Sequence, residues 1–213
     1  MTAILSDKIR HIMSRDAVVQ RLIVTPMLDP KRQIGPGTID LRLGTEFIET
    51  SRKNIVVVDP LATDEDSSLR PEPDRTYVPL GGSYVLHPGQ FILGSTLEFI
   101  SLPPDVVGQV LSRSSWGRLG LLVATAVVVQ PGYRGVLTLE LVNTGDVPLR
   151  LAPGLRVAQL QLWLADSPTS EPYGAAGKYH APLGPQSDRL AWEWDELSKL
   201  RSIASRLHGQ TLT

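Results

Sequence analysis

The 213-residue chain contains no cysteine. That excludes disulfides and any zinc site built on thiolates. It also has little net charge: 21 basic and 22 acidic residues leave a formal −1. Such a balance argues against bulk binding of a nucleic-acid polymer but leaves room for a local basic pocket. There is no apolar run of about 18 residues, so no membrane-spanning helix is expected. The opening MTAILSDKIRHIMSRD is too polar for a signal peptide. The four histidines, His11, His87, His180 and His208, are scattered, with no two at metal-ligand spacing, and no metal site on protein side chains is expected. Walker and Rossmann fingerprints, internal repeats and low-complexity tracts are missing as well. The reading is a soluble cytoplasmic protein made of one large domain, or of one domain with extensions.

What is present is a succession of short apolar runs between residues 34 and 162, punctuated by Pro, Gly, Asn and Asp. TIDLRLGTEFIE, YVLHPGQFILGSTLEFISL, VVGQVL, LLVATAVVV, VLTLELVN and VPLRLAPGLRVAQLQLW are examples. Many short strands with frequent turn signals predict an all-β barrel or sandwich. Ahead of them, Ile9, Ile12 and Met13 fall at helical spacing behind Ser6, a candidate N-cap. Residues 62–76 are polar and carry prolines, which predicts an exposed loop or insertion. Residues 165–188 are rich in Gly, Pro and Ser, and predict an irregular tail that carries Tyr173, Lys178 and Tyr179. From 189 onward Leu190, Trp194, Leu197, Ala204 and Leu207 form one helical stripe, with Ser187 as candidate N-cap and Gly209 as the stop. The domain boundaries that follow are 1–164, 165–189 and 190–213.

Three stretches could carry chemistry. LSRSSWGRLGLL (111–122) sets Arg113, Ser114, Ser115 and Arg118 between two apolar runs. Hydroxyls, amides near glycine and two guanidiniums in six residues suit phosphate oxygens, although a strand end followed by a helical turn explains the same letters. In VLTLELVN, Leu137, Leu139 and Leu141 alternate with Thr138, Glu140 and Val142. If the leucines face the core, Glu140 lies on the opposite face, either as a rigidly held acid–base group or as a solvated glutamate. In VVVQPGYRG (127–135), Pro131 and Gly132 predict a chain reversal, with the polar Gln130 at the strand mouth.

Together these segments resemble the dCTP deaminase and dUTPase superfamily, the deaminase branch in particular. IGPGTIDLRLG (34–44), LHPGQFILGSTLEFISLPPDVVGQVLSRSSWGRLGL (86–121), PGYRGVLTLELVN (131–143), LAPGLRVAQL (151–160) and the tail residues Tyr173, Lys178 and Tyr179 followed by GPQSDR carry the resemblance. It implies a mainly β fold, a distorted jelly-roll barrel of the dUTPase type, with a short N-terminal helix and an added C-terminal helix. It implies a homotrimer with active sites between subunits, acting on dCTP- or dUTP-type nucleotides, with Mg2+ carried by the triphosphate and no zinc. Arg113, Ser114, Ser115, Arg118 and Gln159 would contact the nucleotide, and the tail would close over it as a lid with Tyr173 and Lys178 near the phosphates. Glu140 matches the catalytic glutamate. Arg118 would orient it, while Ser114 and the backbone at Thr125 and Ala126 would position the attacking water. Tyr133 would stand beside the deoxyribose.

The chain departs from that pattern at three places. Gln130 replaces the aspartate usual before the Pro-Gly-aromatic turn. An amide cannot accept a proton at neutral pH, although it can contact a sugar hydroxyl. Leu121 to Thr125 is one residue short, which reshapes the water pocket beside Ala124. Pro182 stands where the tail normally has a glutamine, and it offers neither a side-chain hydrogen bond nor an N–H. The implied activity is deamination of dCTP to dUTP and ammonia. A non-catalytic nucleotide-binding homologue, and a dUTP pyrophosphatase or dUMP-forming deaminase, remain the alternatives.

Overall fold

The computed structural model describes residues 1–50, 57–59, 73–125, 128–174 and 177–209. It divides into two compact units, one of residues 1–49 and 74–186, the other of residues 50–73 and 187–213. Tail residues 165–186 therefore fall in the same unit as the strands.

The first unit is mainly β. One sheet is built on β13 (Arg156–Leu164), which pairs on one side with β8 (Val106–Ser112) and on the other with β1 (Thr2–Ala3) and β3 (Thr38–Arg42). The short β10 (Val128–Val129) continues the sheet beyond β8. The second sheet runs β5 (Pro73–Tyr77), β4 (Glu46–Thr50), β7 (Phe91–Ser101), β11 (Arg134–Asn143) and β9 (Leu121–Val123), with β2 (Ile23–Thr25) also on β7. A ribbon of β6 (Tyr84–Leu86) and β12 (Leu149–Leu151) completes the set. The architecture is of jelly-roll type, and among the described residues the strands make three sheets and not one closed barrel.

Alternation drives burial. Ile39 and Leu41 of β3, Leu139 and Leu141 of β11, and Leu160 and Leu162 of β13 are all fully buried, while the residues between them face away from that core. This is the period-two pattern of strands with one apolar face. The N-terminal helix α1 (Ser6–Met13) adds Ile9 and Ile12 to the same core.

Several local expectations are corrected. Ser6 is the first helical residue and not a cap; Leu5 holds the cap position without a side-chain bond, and the Ser6 N–H donates to the Pro36 carbonyl at 2.9 Å. A tertiary acceptor thus satisfies an amide that a capping side chain would otherwise serve. Residues 73–76, expected in a loop, belong to edge strand β5. Proline is tolerated at the first position of an edge strand, and Thr76 and Tyr77 suit a pleated surface. The remainder of the expected loop, up to residue 72, lies outside the described residues.

In the second unit a 3-10 turn, Leu190–Glu193, leads into α4 (Trp194–Gly209), which ends at the expected glycine. Asp188, not Ser187, accepts from the Leu190 N–H, at 3.3 Å. A carboxylate two residues ahead of the turn is the stronger acceptor. The Arg201 guanidinium lies 5.3 Å from the centre of the exposed Trp194 ring. The Leu207 side chain lies outside the description. Among the described residues no helix is long and apolar enough to cross a membrane.

One polar cluster sits inside the core. Glu98 of β7 is fully buried. Its carboxylate accepts from the Arg42 backbone N–H at 2.8 Å, from the Arg42 guanidinium at 3.0 Å and from Gln33 Nε2 at 2.9 Å. Burial still pushes its carboxyl above the usual glutamate range, against these partners. Glu98→Ala would strand a buried guanidinium and amide. It should lower unfolding free energy by about 3–5 kcal/mol, measured by urea denaturation, with a smaller loss for Glu98→Gln.

Candidate active site

β8 ends at Ser112, and the chain turns through Arg113 into the single helical turn α3 (Ser114–Gly117), with Arg118 at its C-terminal flank. The Trp116 indole N–H donates to the Arg156 carbonyl at 2.8 Å and ties this turn to β13. Ser114, Ser115 and Arg118 are exposed. Arg113 is half-buried and paired with Asp40 of β3 at 2.9 Å. Gln159 of β13 donates to the other oxygen of the same carboxylate at 3.0 Å, and Arg156 joins Arg113 at 3.0 Å. The predicted phosphate-contacting residues Arg113 and Gln159 are thus gathered on one buried acid. Asp40 and Arg156 were not singled out from the sequence. The only signal was a carboxylate at an outward position of the TIDLRL alternation, two residues from an arginine.

Glu140 lies on β11, in the other sheet, with its side chain opposite the leucine face. Its N–H donates to the Thr125 hydroxyl at 3.0 Å, and its carbonyl accepts from Ala124 N–H at 2.8 Å. Residues 124–125 therefore run on along β11 from the end of β9. The Glu140 carboxyl is half-buried, and desolvation pushes it above the usual glutamate range. Its outward aim depends on a bulge. The register between β11 and β7 shifts between Val136 and Thr138, and the Leu137 N–H is met by the Thr96 hydroxyl at 2.9 Å. Bulges re-aim the side chains that follow them. Among the described residues the Glu140 carboxylate shares no hydrogen bond or ion pair with Arg118. Ala126 lies outside the described residues.

The 130–133 turn is closed by the Tyr133 N–H donating to the Gln130 carbonyl at 3.1 Å, and the Gln130 side chain is exposed. Tyr133 is buried, and its hydroxyl donates to the Val136 carbonyl at 2.6 Å. Its ring faces that of Tyr173, centroids 5.9 Å apart. The tail is laid along this turn and along β11. The Tyr173 N–H donates to the Pro131 carbonyl at 2.8 Å, and the Tyr179 N–H to the Tyr173 hydroxyl at 2.6 Å. Further on, the Val136 N–H reaches the Pro182 carbonyl at 2.9 Å, and the Gln186 N–H donates to the Thr138 hydroxyl at 3.0 Å. Lys178 is half-buried between these anchors. Pro182 contributes its ring and its carbonyl where the family's glutamine was expected to contribute an amide.

Two glycines make this close approach possible. Gly132 has φ 83°, and a Cβ there would fall 2.6 Å from Pro172 Cβ. Gly135 has φ 139°, and a Cβ would run into the Pro182 ring, 2.9 Å from its Cγ. Both positions exclude side chains sterically and conformationally.

With the site in view, comparison with known proteins identifies its class. The family model described as dCTP deaminase-like matches residues 4–165. The chain belongs to that family. Among curated relatives, a dCTP deaminase of Natronomonas pharaonis is 45% identical over 172 residues, 79% of this chain and 87% of the relative. A dUMP-forming dCTP deaminase of Dictyoglomus turgidum is 38% identical over 191 residues, 88% of this chain and 94% of the relative. The fold matches a crystal structure of 2′-deoxycytidine 5′-triphosphate deaminase from Agrobacterium tumefaciens with TM-score 0.58 at 22% identity, over 77% of this chain and 48% of that one. In this last comparison the present chain spans about half the other's length.

Two outcomes are expected from this geometry. Because the folded chain holds the Glu140 proton more tightly than the unfolded chain does, ionisation of Glu140 favours unfolding. The penalty is absent below the ordinary glutamate pKa of about 4.3 and grows as pH rises through the folded value. Glu140→Gln should therefore raise the melting temperature at neutral pH, and the gain should shrink as pH falls toward about 4 and be gone below it. Gly135→Ala should undock the tail: hydrogen exchange at 177–186 should accelerate while amides of β7 and β13 stay protected.

Proposed function

We propose that the chain is a nucleotide deaminase that converts dCTP and water to dUTP and ammonia. The observation that carries this reading is Glu140: a half-buried carboxyl with a raised pKa, facing away from the core on a strand whose Glu140 N–H is bonded to the Thr125 hydroxyl. Such a group can take a proton from water as its oxygen attacks C4 of cytosine, and deliver one to ring N3. The C4–N4 bond then breaks, and the amine leaves as ammonia with a further proton. Arg118 and Ser114, exposed at the turn α3, would meet the glutamate's water and the phosphates.

Asp40 and Gln159 belong to one sheet, with Arg113 directly after its strand β8, and Glu140 belongs to the other. That separation supports a homotrimer in which one subunit's cradle completes its neighbour's acid–base site. Magnesium would arrive on the triphosphate. The docked tail, with Tyr173, Lys178 and Pro182, would serve as the lid, and Tyr133 would back the sugar end of the pocket.

The second reading concerns the product, since some relatives are named as dUMP-forming. Gln130 favours dUTP. At the turn where a carboxylate could activate water against phosphorus, this chain has an exposed amide with no basic site.

The test is a panel of dCTP, CTP, dCMP and dUTP with magnesium, with ammonia and pyrophosphate assayed separately. Wild-type protein should release ammonia from dCTP without pyrophosphate, and Glu140→Gln should lose roughly 10²- to 10⁴-fold in turnover while still binding dCTP. Pyrophosphate in step with ammonia would establish the dUMP-forming reading. Neither product, with dCTP binding intact, would make the protein a non-catalytic nucleotide binder.

A further inference from the structure

Asp40 is a buried acid that receives more positive charge than it can neutralise. Its carboxylate is 7% exposed as a residue, and it takes the Arg113 guanidinium at 2.9 Å and the Arg156 guanidinium at 3.0 Å on the same oxygen. Gln159 occupies the other oxygen at 3.0 Å. The Asp40 backbone carbonyl is held by Gln33 Nε2 at 3.0 Å, which also bonds Glu98, so the strand cannot shift without disturbing the buried cluster. Two guanidiniums on one carboxylate leave a surplus of one positive charge. Among the described residues Arg113 donates a single hydrogen bond, to Asp40. Most of its fork of donors remains for an anion.

We propose that Asp40 is a positioning residue for the polyphosphate group, acting through Arg113 and Gln159; this rests on the nucleotide reading above. It presents the Arg113 guanidinium and the Gln159 amide in fixed directions before ligand arrives. When phosphate oxygens draw Arg113 away, Arg156 stays on the shared oxygen. The buried carboxylate is therefore never left unpaired, a state that would be strongly unfavourable. Arg156 makes the exchange reversible, and its second bond, to the Arg32 carbonyl at 3.1 Å, holds it in place.

The full-length chain and Asp40→Asn are titrated calorimetrically with magnesium tripolyphosphate, dCTP and deoxycytidine. Simple electrostatics makes a clear contrary claim: removing a negative charge beside two arginines should tighten polyanion binding. Positioning requires the opposite. Asp40→Asn should bind tripolyphosphate and dCTP about tenfold or more weakly, the scale on which groups that orient a ligating side chain act. Deoxycytidine binding should not change. In an Arg113→Ala background Asp40→Asn should add much less than it does alone. If dCTP is turned over, the defect should appear in KM and leave kcat nearly intact. Unchanged or tighter tripolyphosphate binding by Asp40→Asn overturns the proposal, as does full additivity with Arg113→Ala. Should Asp40→Asn not fold, Asp40→Glu is read in its place; it keeps the charge and displaces it by one methylene, and affinity equal to wild type overturns the proposal. A wild-type chain that binds dCTP without releasing ammonia defeats the deaminase reading and leaves the Asp40 comparison readable on binding alone. A wild-type chain that binds none of the phosphates defeats both.

Discussion

The structure depends on keeping the Glu98 carboxylate satisfied inside the core. It is fully buried, and each of its contacts comes from an element that the site also uses. Arg42 belongs to β3, and Gln33 to the helical turn α2 (Pro30–Gln33) that precedes β3. A buried charge is tolerable only with complete pairing, so the cluster holds β3, α2 and β7 to one arrangement. Asp40 lies two residues from Arg42 on the same face of β3, while Ile39 and Leu41 point into the leucine core. One face of this strand therefore carries a polar chain from the buried Glu98 to the exposed edge of the α3 turn.

The opposite sheet solves a different problem. Glu140 is half-buried on β11, and desolvation lifts its carboxyl above the usual glutamate range. The bulge at Leu137 and the docked tail both act on this strand. The tail supplies a carbonyl to Val136 N–H and an amide to the Thr138 hydroxyl, two backbone-level anchors on the strand that bears Glu140. A backbone-anchored tail needs only steric clearance from the strand beneath it, and Gly132 and Gly135 provide this. That explains how proline can stand at 182: the position uses its carbonyl and its ring, and neither needs an amide side chain.

Much of this was legible in the letters. The strand texture, the N-terminal helix, the alternation that turns Glu140 away from the leucines, and the reversal at Pro131-Gly132 all appear as read. The cap assignments at Ser6 and Ser187 failed because acceptors elsewhere, the Pro36 carbonyl and the Asp188 carboxylate, took the amides that a capping serine would have taken. Strand β5 was hidden because Pro73 and Asp74 read as loop, and only an edge position beside β4 makes them acceptable in a strand. Glu98 read as one polar residue in a long strand; nothing local marks it as buried.

By itself the sequence determined the periodicities, the turns, the absence of thiol chemistry and the residue types available for chemistry. These are properties of neighbours in the chain, where covalent geometry and side-chain alternation act. Tertiary structure alone decided which residues meet. Asp40 lies 73 positions from Arg113, 116 from Arg156 and 119 from Gln159, and no local pattern couples groups so far apart. They converge because β3 and β8 pair with opposite edges of β13, and the register of those ladders, locked by burial of alternate side chains, places the four side chains together.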